Sequence, residues 1–110
     1  MNTYCAVYEL NPGKINEYIE LHENCWQEQL LALRESGAEN LEIFLNGTQC
    51  IIFYECEDFD LFLEKLSINK VNMEWQQKMK EFFAGDVNLT GDQRIAPVKK
   101  VFGLKQKLGE

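Results

Sequence analysis

The chain has 110 residues, of which 45% are hydrophobic and 26% charged, enough for one compact domain over residues 1–110 and not for two. Eleven Lys and Arg against eighteen Asp and Glu leave a formal charge of −7, which disfavours nucleic acid and anionic membrane, since both are held by clustered basic side chains. No apolar run approaches the roughly 18 to 20 residues that span a bilayer, and Met1-Asn2-Thr3-Tyr4 does not open a secretory leader, so a cytosolic protein is expected.

Thr3 to Leu10 is rich in β-branched and aromatic residues, with Tyr4, Ala6, Tyr8 and Leu10 on one face and Cys5, Val7 and Glu9 on the other. It is predicted as a first strand, interior to its sheet, and Asn11-Pro12-Gly13 stops it. From Lys14 to about Glu35 the positions Ile15, Ile19, His22, Trp26, Leu30 and Leu33 recur at steps of three and four, which predicts one long amphipathic helix ended by Ser36-Gly37. Within it Tyr18, His22 and Trp26 stand at i, i+4 and i+8 on one face. His22 is the only histidine in the chain. An imidazole titrates near neutrality, so with a phenol and an indole beside it His22 is a candidate for moving protons on a small ligand. The same position on the sheet-facing stripe equally permits a packing role.

Glu39 to Leu45 alternates Leu41, Ile43 and Leu45 against Glu42 and Phe44, and Gln49 to Glu57 supplies a further β-rich run. Asn46-Gly47 between them is a strong hairpin signal, so these strands are expected as an antiparallel pair. Asp58-Phe59-Asp60 is placed to cap a helix carrying Leu61, Phe62, Leu63 and Leu66, and after a break near Asn69 a second helical run holds Val71, Trp75, Met79, Phe82 and Phe83. Gly85 to Pro97 is a polar connection long enough for a lid or a partner contact. Val98 to Leu104 is predicted as a fourth strand, and Lys105 to Glu110 as a frayed tail.

The order β-α-β-β-α-β is the ferredoxin-like arrangement, an α+β fold with helices on one face of a four-stranded antiparallel sheet. Its other sheet face would be bare, and pairing with a second copy covers it, so a homodimer is expected.

Cys5, Cys25, Cys50 and Cys56 contain no C-x-x-C pair, and one histidine does not complete a zinc set, so free buried thiols and no metal are expected. Dinucleotide, P-loop, zinc-protease and α/β-hydrolase motifs are absent from the sequence. What remains is an aromatic constellation, Tyr18, His22 and Trp26 with Trp75 and with Tyr4 or Tyr8. Aromatic faces stack on the C–H face of a sugar, while a phenol and an imidazole exchange hydrogen bonds and protons with its hydroxyls. Interconverting the anomers of a pyranose needs one group to protonate the ring oxygen and another to take the proton of the anomeric hydroxyl, and requires no cofactor. The same aromatics serve equally well as core.

Asn11-Pro12, Glu17-Tyr18 followed by His22, Trp26, Glu28, Leu33, Gly37 and Asn40, then Ile43-Phe44-Leu45, Phe53, Trp75 with Lys78-Met79, and Val101-Phe102 with Leu104 form one set. By that set the chain resembles the L-rhamnose mutarotase family. The resemblance implies a dimeric α+β barrel that binds a 6-deoxyhexose between helices and sheet and interconverts its α and β anomers. His22 matches the family's proton donor, Tyr18 its substrate-binding tyrosine, and Trp75 the first of two adjacent tryptophans. Leu41 stands where the family has a further substrate-contacting tyrosine, and Gln76 where it has the second tryptophan. The resemblance therefore implies catalytic His22 and substrate positions Tyr18, Trp75, Leu41 and Gln76, with the identity of the sugar open. A non-catalytic sugar-binding or interaction module on the same scaffold is the alternative from another class, and a monooxygenase-like member of the same architecture a third by analogy of fold.

Overall fold

The computed structural model describes residues 2–84 and 98–110; the connection expected at Gly85 to Pro97 lies outside them. Strand β1 (Asn2–Glu9) pairs antiparallel with β3 (Gln49–Cys56), which pairs antiparallel with β2 (Asn40–Asn46), giving the sheet order β1-β3-β2. Asn46 pairs with Gln49, so the hairpin turns over Gly47-Thr48, one residue later than expected. Gly47 has φ +61° and no non-glycine residue among the described residues, Thr48 included, has positive φ, the type II′ pattern with glycine at the first turn position. Asn46 thereby stays in the ladder.

Two expectations about the sheet are corrected. A fourth strand over Val98 to Leu104 is not formed: residues 98–103 carry no regular element, and Leu104–Leu108 form a short helix, α5, in place of the start of a frayed tail. Of its backbone only the Val98 N–H bonds to the sheet, donating to the Cys5 carbonyl at 2.7 Å, and Lys100 Nζ donates to Thr3 Oγ1 of β1 at 2.7 Å. Val101 and Phe102 are 84% and 65% exposed, so no buried face specifies a register for this segment. Strand β1 consequently lies at the edge of a three-stranded sheet among the described residues, and not in its interior.

The predicted long helix is also corrected. It is two helices, α1 (Ile15–Glu23) and α2 (Gln27–Ser36), preceded by a 3₁₀ turn at Pro12–Lys14. Asn24 donates both its backbone N–H and its side-chain Nδ2 to the Glu20 carbonyl, at 3.1 and 3.0 Å. A short amide side chain competing for helix carbonyls is a known helix stop. Trp26 is extended, and its carbonyl receives the N–H groups of Gln29 and Leu30 to start a new helix. The restart changes the helix phase: Leu30 is 47% exposed, while Gln29 is 1% exposed. Gly37, at φ +121°, ends α2 as expected.

Helices α3 (Phe59–Ser67) and α4 (Lys70–Met79) follow, separated at Ile68-Asn69. Asp58 accepts from the Leu61 N–H at 3.1 Å and Asn69 from the Asn72 N–H at 3.0 Å, so each helix start is capped by its own side chain. A 3₁₀ turn at Lys80–Phe82 leads to Phe83, which bridges Leu10 and ties this end of the chain to β1. No helix among the described residues is long and apolar enough to cross a membrane.

The inward sheet face carries Ala6, Cys50, Ile52 and Tyr54 against Phe62, Leu66 and Met79 of the helices, all buried. Each large apolar side chain so buried contributes about 1.5–3 kcal/mol. Cys50 and Cys56 are buried free thiols, whereas Cys5 and Cys25 are free but half-buried. The outward face sets Cys5 beside Phe53, Val7 beside Ile51, and Ile51 beside Phe44. Val7 and Phe44 are 40% and 55% exposed there.

Candidate active site

A cleft of about 950 Å³, partly open to solvent, lies between the inward sheet face and the helices, within the range of small-molecule sites. Tyr18 and His22 of α1, Leu41 of β2, and Trp75 and Gln76 of α4 all line it. The fold thus brings the five residues singled out from the sequence to one cavity. Trp26 is not among the lining residues; it packs edge-on against Trp75 with ring centroids 5.0 Å apart. The tyrosines of β1 face the core instead, Tyr4 stacking on Phe59 at 4.5 Å and Tyr8 meeting Phe83 at 5.3 Å. Burial pushes the Tyr8 phenol up to about 12.

His22 is half-buried, and its Nδ1 lies 2.8 Å from the carbonyl oxygen of Tyr18, one turn earlier in α1. A carbonyl only accepts, so Nδ1 carries the proton and the neutral ring offers Nε2 as a lone pair. Burial lowers the imidazole below its ordinary 6.5, and the carbonyl opposes this in part. At neutral pH the ring therefore starts as a proton acceptor. Its faces are fixed by Tyr18, with centroids 4.2 Å apart, and by the edge contact with Trp75 at 5.4 Å.

Tyr18 is 3% exposed, and its hydroxyl is hydrogen-bonded to the Cys50 sulfur at 3.3 Å. Burial and the neighbouring thiol push the phenol far above its usual range, so it is neutral at physiological pH. Tyr18 gives the cleft its ring surface, the platform under His22, and the carbonyl that orients the imidazole. Its hydroxyl is committed to β3.

The polar side of the cleft was not legible as such. Gln29 of α2 and Asn72 of α4 are each 1% exposed and line the cavity beside Gln76. Gln29 Nε2 and Gln76 Nε2 donate to Asn72 Oδ1 at 3.0 and 3.1 Å, and Asn72 Nδ2 donates to the Leu66 carbonyl at 3.0 Å. Apolar periodicity gives no reason to bury a glutamine, and the signal for Gln29 arises only from the helix restart at Trp26. Tyr54 of β3 also lines the cleft, and no motif marks it in the sequence. No group of three or more His, Cys, Asp or Glu side chains is gathered for a metal among the described residues.

The sequence profile described as L-rhamnose mutarotase matches residues 3–104. The chain belongs to the L-rhamnose mutarotase family. An L-rhamnose mutarotase of Enterococcus faecalis is 31% identical over 98 residues, covering 87% of this chain and 92% of that one. One of Rhizobium meliloti is 26% identical over 108 residues, covering 96% of this chain and the whole of that one. The crystal structure of an L-rhamnose mutarotase of Formosa agariphila superposes with a TM-score of 0.76 at 19% identity, covering 94% of this chain and 99% of that one. Tetracenomycin F2 cyclase of Streptomyces glaucescens, a type II polyketide cyclase, superposes with a TM-score of 0.56 at 12% identity. The mutarotase fold is thus an α+β scaffold shared by proteins of different activity, and function rests on the lining of the cleft.

Proposed function

We propose that the protein is a sugar mutarotase, an isomerase that interconverts the α and β anomers of L-rhamnose or a related deoxysugar bound in the helix–sheet cleft. The observation that carries this reading is the His22 ring, fixed by the Tyr18 carbonyl at 2.8 Å in the cleft wall of a family member. Neutral His22 takes the proton of the anomeric hydroxyl at Nε2. The C1–O1 bond becomes a carbonyl, the C1–O5 bond breaks, and O5 receives a proton. Because O1 and O5 are bonded to the same carbon, the imidazolium formed in the first half is within reach of the second and acts there as general acid. Rotation about C1–C2 followed by the reverse steps closes the ring as the other anomer. One histidine is regenerated in each cycle.

Trp75 supplies the stacking wall for the sugar's C–H face, and Tyr18 the platform that holds the ring. Leu41 adds apolar surface where a phenol would hydrogen-bond, and Gln76 adds an amide where an indole would stack, so the sugar preference follows this chain's own lining. We infer further that two protomers pair through the outward sheet face into a dimeric α+β barrel. The exposed Val7 and Phe44 with Ile51 and Phe53 between them, and the apolar residues Val101 and Phe102 standing off the sheet edge, support that pairing. Four free thiols fit a reducing, cytosolic setting.

The test is anomer exchange followed by saturation-transfer NMR on L-rhamnose and a panel of monosaccharides. Exchange well above the buffer rate is expected for at least one deoxysugar, with His22→Ala lowering it by roughly 10²- to 10⁴-fold. Exchange no faster than buffer for every sugar overturns the reading. Undiminished exchange in a folded His22→Ala protein overturns the role of His22 alone.

A further inference from the structure

The buried amides of Gln29, Asn72 and Gln76 leave a specific deficit. Leu66 offers only a carbonyl to Asn72, so Asn72 must turn its Nδ2 toward Leu66 and its Oδ1 away. That oxygen only accepts, so both glutamines must turn their Nε2 groups toward it. The orientation of all three amides is thereby set by one backbone carbonyl. The two glutamine oxygens are left over, and both Gln29 Oε1 and Gln76 Oε1 are buried without a hydrogen-bond partner among the described residues. Native interiors seldom leave such acceptors unmatched, and an unmatched one in a cavity wall points to a donor that arrives with a ligand.

We propose that Gln29 and Gln76, aligned by Asn72, are specificity-determining residues that accept hydrogen bonds from hydroxyl groups of the sugar other than the anomeric one. The proposal rests on the sugar-binding reading of the cleft and deepens it. Gln76 follows Trp75 directly, and Asn72 lies one helical turn before Gln76 on α4. The amides therefore neighbour the stacking wall, while the anomeric carbon is assigned to His22, whose ring meets the same indole edge-on at 5.4 Å. A sugar hydroxyl is both donor and acceptor, whereas each glutamine spends an Nε2–H on Asn72 and keeps an oxygen with no donor among the described residues. The match is thus to the O–H proton of the ligand. Both glutamines line the cleft, so a ligand held there lies against their terminal amides. An aldose carrying hydroxyls on its ring carbons provides such donors, and an analogue lacking one of them would leave a glutamine oxygen buried and unpaired.

The experiment measures dissociation constants by titration calorimetry, which does not depend on turnover, for L-rhamnose and its 2-, 3- and 4-deoxy analogues. The parent protein is compared with Gln29→Met and Gln76→Met, unbranched replacements of similar length. Wild-type protein is expected to bind at least one deoxy analogue about tenfold more weakly than L-rhamnose, and a methionine variant to bring the two within about threefold of each other. A merely structural role would weaken all ligands by one common factor and leave the ratios unchanged, and that result overturns the proposal. Equal affinity of wild type for all four sugars, or no binding of any, overturns it too. Where Gln29→Met melts below the assay temperature, Gln76→Met decides, since it leaves the Gln29–Asn72 bond in place. Selective binding without anomer exchange would support the amide assignment while overturning the mutarotase reading, so the two failures are distinguishable.

Discussion

His22 hangs from Tyr18: the imidazole Nδ1 donates to the carbonyl oxygen of the residue one turn earlier, at 2.8 Å, while the two rings lie 4.2 Å apart. One residue thus sets the tautomer, the tilt and the platform of the proton carrier. The carbonyl belongs to the helix backbone, so this orientation survives any change to the tyrosine side chain that keeps the helix.

The first prediction is the pH dependence. Burial holds His22 below its ordinary value of 6.5, so the base form dominates at neutrality and the acid limb of kcat/KM should fall below pH 6.5. For stability the sign follows from linkage. Between the lowered folded value and 6.5 the unfolded chain binds a proton that the folded chain does not. This group's contribution is therefore intact above about pH 6.5 and is lost as the pH falls toward the folded value. A pH–rate profile by saturation transfer, with the His22 ring proton followed by NMR, checks both; an acid limb above 6.5 would contradict the burial argument.

Tyr18→Phe separates ring from hydroxyl. The hydroxyl is bound to Cys50 at 3.3 Å, so its loss should cost about 1 kcal/mol of stability in urea unfolding. Exchange should stay within about threefold of the parent, far from the roughly 10²- to 10⁴-fold loss that follows removal of an acid–base group. A loss of that larger size would mean that the phenol leaves Cys50 for the substrate during turnover.

Asp58→Ala tests the helix start. Asp58 caps α3 through the Leu61 N–H at 3.1 Å and does not line the cleft. Its removal should lower unfolding free energy by about 1 kcal/mol, with the anomer exchange rate at 25 °C unchanged.

Phe44→Lys tests the pairing of protomers. Phe44 is 55% exposed on the outward sheet face, so the substitution takes little packing from the protomer but sets a charge where a second copy is expected. Light scattering after size exclusion should give a dimer for the parent and a monomer for the variant. A monomeric parent at micromolar concentration would overturn the barrel.

The sequence alone determined the element types wherever local chemistry was decisive. Alternation marked β1 and β2, β-rich composition marked β3, Asp58 marked the start of α3, a break near Asn69 separated α4 from it, and Gly37 marked the end of α2, because caps, turns and period-two patterning act within a few residues. Tyr18 and His22 were placed correctly on one face because they belong to one unbroken helix. Trp26 and Leu30 were not, because the Asn24 side chain competes for the Glu20 carbonyl, α1 stops, and the helix restarts in a new phase. Only the tertiary structure decided that Gln29 is buried against Asn72 and that Trp26 serves Trp75. It also decided that Val98 to Leu104 forms no strand, held to β1 within the described residues by one backbone bond to Cys5 and one side-chain bond from Lys100 to Thr3. Each of these depends on what lies across the fold, 43 residues away for Gln29 and Asn72. A hydrogen bond over that span is specified by packing geometry and not by the residues beside it in the chain.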